Sequence, residues 1–200
     1  MNRTEEFYKR YPELECCKND IKMAMDLMVN TYRKGGKILI CGNGGSAADC
    51  EHIVGDLMKG FLLKRAVTDP NIPDELRFQL QGSLPAISLP SQCAILSAFI
   101  NDVAPEMMYA QLVYGYGKKE DLLIGLSTSG NSKNVVNAIK VARAKEMKVL
   151  SLTGTRESQM SLWSDVTIRV PETETFKIQE YHLPVYHYLC AGVEETFFSL

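Results

Sequence analysis

The chain has 200 residues, of which 46% are hydrophobic and 23% charged, and its formal net charge is −2. This composition is typical of one globular domain with a full hydrophobic core, and it excludes a wholly disordered chain. No block of Lys and Arg stands out, and no apolar run reaches the roughly 18 residues of a membrane span, so we expect neither nucleic acid nor a membrane as a partner.

The first residues, MNRTEEFYKRYPELE, are charged and carry no apolar stretch of the kind found in signal peptides. We therefore expect a cytoplasmic protein with reduced thiols. Residues 1–35 are predicted to be helical, because apolar side chains recur at spacings of three and four between Ile21 and Tyr32. We expect this segment to serve packing or oligomerisation.

The short apolar run 37–41 predicts a buried parallel strand, and the glycine-rich sequence GNGGS, which we call the first loop (residues 42–46), follows it. A helical pattern then extends from 47 to about 61, and the polar, proline-containing residues 64–83 predict a surface excursion.

The rest of the chain alternates between further predicted strands and helices. Strands are expected over residues 85–89, 121–126, 148–152 and 166–170. Helices are expected over residues 91–100, 105–114, 134–145 and 175–198. The alternation predicts an α/β fold, a three-layer αβα sandwich with a parallel five-stranded sheet of the flavodoxin-like doubly wound type. We expect one domain over residues 1–200, with additional helices at both ends.

The first loop joins a strand to a helix N-terminus, where glycines let the backbone approach a ligand and unpaired amides attract an anion. It matches neither a Walker A motif nor GxGxxG, so we expect no nucleotide cofactor. The sequence STSGNS, the second loop (residues 127–132), also follows a predicted strand and places four hydroxyls before a helix. Such hydroxyls can hold a phosphate without Lys or Arg.

Three stretches carry a resemblance to a known family: GNGGSAADCEH, LSTSGNSKNVVNAI and TFKIQEYHLPVYHYLCAGVE. In this order they resemble the SIS (sugar isomerase) fold and, within it, the sedoheptulose 7-phosphate isomerases, also called phosphoheptose isomerases. The resemblance implies an isomerase that acts on a phosphorylated sugar through a cis-enediol. It also implies a homotetramer with sites at subunit interfaces.

The resemblance further implies which residues bind the substrate. The second loop would bind the phosphate, and the first loop, together with an Asn-Asp pair and a glutamine of the last helix, would contact the sugar. The residues concerned are Ser127, Thr128, Ser129 and Ser132 for the phosphate, and Asn43, Gly44, Gly45, Ser46, Asn101, Asp102 and Gln179 for the sugar.

Histidines and a carboxylate form a second candidate site. His52 and Asp56 are four residues apart and share a helix face, whereas Gln179 and His187 lie roughly 80° apart around a later helix. Two histidines, a carboxylate and an amide oxygen suit Zn²⁺, and the resemblance implies zinc or proton transfer at these positions. Asp56 and His187 are the expected acid and base, and His182 lies on another face.

The chain departs from the family in two places near this site. Asp56 stands where the isomerases have Glu, and Lys59-Gly60 stands where they have Arg. Two alternatives therefore stay open. One is a non-catalytic sugar-phosphate-binding or regulatory SIS protein, of the kind that partners the bacterial replication initiator. The other is different chemistry on the same fold, such as an etherase or another phosphosugar isomerase.

Overall fold

A computed structural model describes residues 2–199, and its centre is one parallel sheet. The strands are β1 (Ile38–Cys41), β2 (Ala86–Ser88), β3 (Leu122–Leu126), β4 (Lys148–Thr153) and β5 (Val166–Arg169). Their spatial order is β2-β1-β3-β4-β5, and every pairing is parallel. The predicted five-stranded, doubly wound α/β fold is confirmed.

The strands are apolar on both faces because helices cover the sheet on both sides. On β1, Ile38 and Ile40 belong to a core shared with α2 (Lys18–Arg33), α3 (Gly45–Met58) and α9 (Thr175–Phe198). Leu39 and Cys41 face the opposite core, which α6 (Met108–Tyr116) and α7 (Lys133–Ala144) complete. The alternation of side chains along each strand therefore separates two cores and creates three layers.

The remaining helices are α1 (Arg3–Arg10), α4 (Asp74–Arg77), α5 (Cys93–Asp102) and α8 (Gln159–Trp163), with 3-10 helices at Pro12–Cys17 and Pro105–Met107. The predicted helical segment 1–35 is thus divided, because Pro12 removes a backbone donor and Tyr11 leaves the helical region with ψ 68°. Within residues 2–199, no helix is both long and apolar enough to span a bilayer.

Helix α3 ends at Met58, earlier than its sequence pattern predicts, and Lys59 is extended. The cause is Arg65, which donates to the carbonyl oxygens of Leu57 and Asp56 and so replaces the amides that would continue the helix. The segment 64–83 is mostly exposed, as expected from its sequence, but Arg65 itself is buried.

Candidate active site

The first and second loops lie side by side at the carboxyl edge of the sheet. They leave β1 and β3, which are neighbours in the sheet with Cys41 paired to Gly125. Asn43 of the first loop and Asn134 at the start of α7 exchange two amide hydrogen bonds, with N···O distances of 3.0 and 2.9 Å. The loops therefore form one continuous polar surface, at the place where parallel α/β folds bind ligands.

The first loop turns sharply into α3. Gly44 has φ +57°, a backbone conformation that side chains with a Cβ rarely adopt, and Gly45 begins the helix. Asn43 and the two glycines are exposed, whereas Ser46 is buried and donates its amide to the carbonyl of Asn43. The loop therefore presents Asn43 and backbone to the solvent, and Ser46 contributes to the turn itself.

The second loop gathers hydroxyls in front of α7. Ser127 Oγ lies 2.9 Å from Ser132 Oγ and 3.5 Å from Ser129 Oγ. Ser132 is the N-cap of α7 but its side chain caps no amide, so the first turn of this helix keeps open donors. Thr128 and Ser129 also line a cavity of about 290 Å³ that reaches the N-terminus of α9. Converging hydroxyls at a helix N-terminus suit a phosphate group.

We call His52, Asp56 and His187 the histidine cluster, because the fold brings these predicted residues from α3 and α9 together. The two Nε2 atoms lie 3.2 Å apart. Asp56 Oδ1 is 4.0 Å from His52 Nε2, and Asp56 Oδ2 is 3.9 Å from His187 Nε2. The shorter aspartate side chain therefore still reaches both histidines.

Burial shifts both members of the expected acid–base pair toward their neutral forms. Asp56 is only 6% exposed, and burial raises the pKa of its carboxyl against the opposing pull of His52 and His187. Burial likewise lowers the pKa of His187, although Asp56 works in the other direction. A carboxyl pKa that rises and an imidazole pKa that falls approach one another, which favours proton exchange between the two groups.

Tyr186 and Asp49 lie on the Nδ1 side of the His52 ring, the side that does not face His187. The Tyr186 hydroxyl donates to Asp49 Oδ1 at 3.2 Å and lies 3.1 Å from His52 Nδ1. Burial and the nearby Asp49 carboxylate raise the pKa of the Tyr186 phenol, so it stays protonated. Burial also raises the pKa of Asp49.

The histidine cluster fits a metal ion of the zinc type. Two nitrogens bound tetrahedrally to one Zn²⁺ lie about 3.3 Å apart, close to the 3.2 Å between the histidines. Asp56 Oδ2 is buried and has no hydrogen-bond partner within residues 2–199. A buried carboxylate oxygen without a partner is available to bind a cation. Two imidazoles and a carboxylate are donors that zinc accepts.

Gln179 lies against the first loop. A Cβ added to Gly45 would come within 2.7 Å of Gln179 Nε2, so the amide packs directly on the start of α3. Gln179 therefore lies beside a loop that is expected to bind the sugar, and its own contact with the sugar stays a prediction. A role of Gln179 as a metal ligand stays a prediction.

The Asn101-Asp102 pair lies at the end of α5 and is held by a hydrogen bond within the pair. Both residues are exposed at the end of α5, and Asn101 donates to Asp102 at 2.8 Å. In the described part of the chain no hydrogen bond joins them to a loop or to the histidine cluster. Their expected contact with substrate hydroxyls stays a prediction.

Sequence reasoning missed four residues that shape the site: Asp49, Arg65, Asn134 and Tyr186. Asp49 could have been noticed, because it precedes His52 by one helical turn. Nothing in the spacing of the sequence marks the others, because each reaches the site through a tertiary contact. Tyr186 meets His52 across the packed helices α3 and α9, and Arg65 folds back onto the end of α3. Asn134 meets Asn43 of the first loop.

Comparison with known proteins agrees with this geometry. The family model of the SIS domain matches residues 9–77 and 81–154. Phosphoheptose isomerase of Helicobacter pylori (strain P12) is 40% identical over 184 residues, which cover 92% of this chain and 88% of that protein. Phosphoheptose isomerase of Rhodospirillum rubrum is 37% identical over 183 residues, with 92% and 89% covered.

Solved structures show the same relationship. A phosphoheptose isomerase from Neisseria gonorrhoeae superposes with a TM-score of 0.72 at 30% identity, covering 96% of this chain and 99% of that one. One from Francisella tularensis has a TM-score of 0.77 at 27% identity, with 98% and 100% covered. The resemblance seen in the sequence motifs is confirmed: the chain belongs to the SIS domain family, in its phosphoheptose isomerase group.

Proposed function

We propose that this chain is a phosphosugar isomerase that interconverts sedoheptulose 7-phosphate and the corresponding aldose phosphate through a cis-enediol. The observation that carries the proposal is the histidine cluster, which joins an acid–base pair on α3 and α9 to the helix that begins at the first loop. Relatives that bear the name phosphoheptose isomerase cover nearly the whole chain.

The phosphate is bound by the second loop in this proposal. Ser127, Thr128, Ser129 and Ser132 offer hydroxyls, and the N-terminus of α7 adds a partial positive charge. Because these donors are neutral, they hold the phosphate group less tightly than Lys or Arg would, so the sugar-phosphate product can dissociate after turnover. The sugar then extends over the first loop, where Asn43 and Gln179 meet it, toward the histidine cluster.

The proton transfers are assigned to Asp56 and His187. The Asp56 carboxylate removes a proton from C1 of the ketose, and the electron pair of that C–H bond forms the C1–C2 double bond of the enediol. His187 gives a proton to the carbonyl oxygen on C2 and takes one from the hydroxyl on C1. Return of the carbon-bound proton from Asp56 to C2 yields the aldose, so no co-reactant is consumed.

His52, Asp56 and His187, with Gln179 as a further candidate, would hold Zn²⁺ in this site, each through one atom, which leaves the second Asp56 oxygen and the second His187 ring nitrogen for the proton transfers. When bound, the ion supplies Lewis-acid polarisation of the substrate carbonyl. Whether or not the ion is present, the chain's own task is to keep a base beside C1 and C2 and to exclude bulk water from Asp56, which burial already does.

The quaternary structure and the cellular setting belong to the same proposal. We propose a cytoplasmic homotetramer of one SIS domain each, residues 1–200, in which the helices of residues 1–35 pack between subunits. The surface of α5 supports an assembly: none of its residues is buried, and Ile95, Ile100 and the following Val103 are exposed. Analytical ultracentrifugation would measure the assembly.

Turnover in D₂O, followed by NMR, tests the reaction. We expect conversion of sedoheptulose 7-phosphate, and the deuterium content at C2 of the aldose measures how far the proton held by Asp56 exchanges with solvent before it returns to carbon. Asp56→Asn and His187→Asn should each lower kcat by about 10²- to 10⁴-fold. Glu120→Gln, which alters an exposed carboxylate just before β3 at the opposite, amino edge of the sheet, serves as the control and should leave kcat unchanged.

A panel of C5 to C7 sugar phosphates separates the proposal from its rivals. Turnover of another panel member, with none of the heptulose phosphate, would identify a different phosphosugar isomerase. Thermal stabilisation by these ligands without any turnover would identify a sugar-phosphate-binding protein, for which the replacement of the family Glu by Asp56 is the favouring observation.

A further inference from the structure

The Tyr186 hydroxyl bridges two polar groups, the carboxylate of Asp49 and the imidazole of His52. It lies 3.2 Å from Asp49 Oδ1 and 3.1 Å from His52 Nδ1. The tyrosine is only 3% exposed, so water does not compete freely for either contact. The rings of His52 and Tyr186 meet edge to face, with centroids 5.4 Å apart and an interplanar angle of 70°.

Counting protons in this bridge assigns the tautomer of His52 when Asp49 is ionised and His52 is neutral. A phenol has one hydrogen to donate, and a carboxylate has none, so the hydroxyl hydrogen points to Asp49. The hydroxyl oxygen is then left as an acceptor, and His52 Nδ1 must supply the hydrogen of the second contact. A neutral imidazole carries one N–H, so His52 Nε2 keeps its lone pair.

We propose that Tyr186, oriented by Asp49, is a positioning residue that holds His52 in the Nδ1–H form with its Nε2 lone pair turned toward the histidine cluster. There Nε2 lies 3.2 Å from His187 Nε2 and 4.0 Å from Asp56 Oδ1. The inference rests on the proposed function, in which this lone pair serves the substrate or Zn²⁺. The tautomer itself can be measured without either.

If the contact with Tyr186 only added stability, either tautomer of His52 would fit the site equally well. The two ring nitrogens have different partners, however: Nδ1 faces the Tyr186 hydroxyl and Nε2 faces a second imidazole. Because the Tyr186 hydroxyl hydrogen goes to Asp49, the hydroxyl can only accept from Nδ1, and Nε2 is then the acceptor toward His187. Partners behind a metal-binding histidine act in this way, and their loss typically weakens metal binding 10- to 100-fold.

The decisive experiment is ¹⁵N NMR of the full chain labelled at its three histidines, at a pH where they are neutral. His52→Gln assigns the signal. We expect wild-type His52 to show a protonated Nδ1 and an unprotonated Nε2. A wild-type spectrum with the proton on Nε2 would overturn the inference. The tautomer is read from the wild-type chain, and the variant, at a half-exposed side chain, serves only to assign the signal.

Substitution then tests the cause. In Tyr186→Phe we expect the His52 signals to move toward a mixture of tautomers and the affinity for Zn²⁺, measured by calorimetry, to fall about 10- to 100-fold. Tyr188→Phe is the matched control, because its hydroxyl bonds Thr4 at 2.9 Å rather than His52. Unchanged His52 signals in Tyr186→Phe would refute the positioning role.

The two readouts keep this inference distinct from the isomerase assignment. If the chain turns over no sugar phosphate while His52 shows the Nδ1–H form that Tyr186→Phe abolishes, the proposed function fails and the positioning role stands. If turnover is seen but Tyr186→Phe leaves the His52 tautomer unchanged, the proposed function stands and the positioning role fails.

Discussion

Arg65 and Glu194 form an ion pair in which both side chains are fully buried, with Arg65 Nε 2.7 Å from Glu194 Oε1. Arg65 also binds the carbonyl oxygens of Asp56 and Leu57 at the end of α3. Glu194, on α9, accepts the amides of residues 61–63 at 2.7, 2.8 and 3.1 Å. The pair therefore links the end of α3 to α9, close to Asp56 and His187 of the histidine cluster.

Removing the charge of Glu194 should destabilise the fold strongly. Glu194→Gln leaves Arg65 buried without a counter-charge, and we expect a loss of about 3 to 5 kcal/mol in the free energy of unfolding, measured by urea denaturation. Glu195→Gln is the matched control, since Glu195 pairs with Arg3 where both side chains are partly exposed. That pair should contribute less than about 1 kcal/mol. Equal losses in the two variants would contradict the role given to the buried pair.

His182 should make the fold sensitive to acid. It is fully buried, and burial lowers the pKa of its imidazole from 6.5 to about 4, against a weak contact with the Thr153 carbonyl. Because the folded pKa lies below the unfolded one, the unfolded chain takes up the proton first as pH falls. The stabilisation is therefore complete above pH 6.5 and is lost on the way down to pH 4.

His182→Leu isolates this effect. Between pH 8 and pH 4.5 the wild type should lose roughly 2 to 3 kcal/mol of unfolding free energy that the variant does not lose. The Thr153 carbonyl keeps a donor in the variant, the amide of Val170 at 3.0 Å. Parallel stability curves for the two proteins over this range would show that His182 does not titrate in this way.

Two glycines with positive φ should respond differently to alanine. Gly44 (φ +57°) has nothing within 4 Å of an added Cβ, whereas at Gly130 (φ +63°) the Cβ would lie 2.2 Å from Ser158 Oγ. Both changes introduce backbone strain of about 1 to 2 kcal/mol. We expect Gly130→Ala to cost about 1 to 3 kcal/mol more because of the collision, as measured by denaturation. A larger loss at Gly44 would argue against the described packing of the second loop on Ser158.

Gly45→Ala should affect activity more than stability. Its Cβ would meet the end of the Gln179 side chain at 2.7 Å, and that flexible amide can move aside. Displacement of about 1 Å can lower kcat/KM about 100-fold, while unfolding free energy should change by less than about 1 kcal/mol. Gly55→Ala, on the same helix with open space around it, is the control and should leave kcat/KM unchanged. Wild-type kcat/KM in Gly45→Ala would remove Gln179 from the substrate site.

The sequence alone was sufficient for the fold and for the placing of both loops. Continuous apolar runs such as Leu122–Leu126 identify buried parallel strands, and glycine- and serine-rich turns after β1 and β3 identify the carboxyl edge where ligands bind. These features are local in the chain, so spacing and composition reveal them. The family motifs then connected His52, Asp56 and His187, although 131 residues separate the last two.

Only the tertiary structure decided how these residues meet. The distance of 3.2 Å between the two histidines depends on the packing of α3 against α9, as do the Tyr186 bridge and the buried Arg65–Glu194 pair. Nothing in the spacing of a sequence states which side chains of two distant helices touch, because that contact is fixed by the shape of the whole core. Local patterns therefore determined the layers and the loops, and packing between the layers determined the geometry of the candidate site.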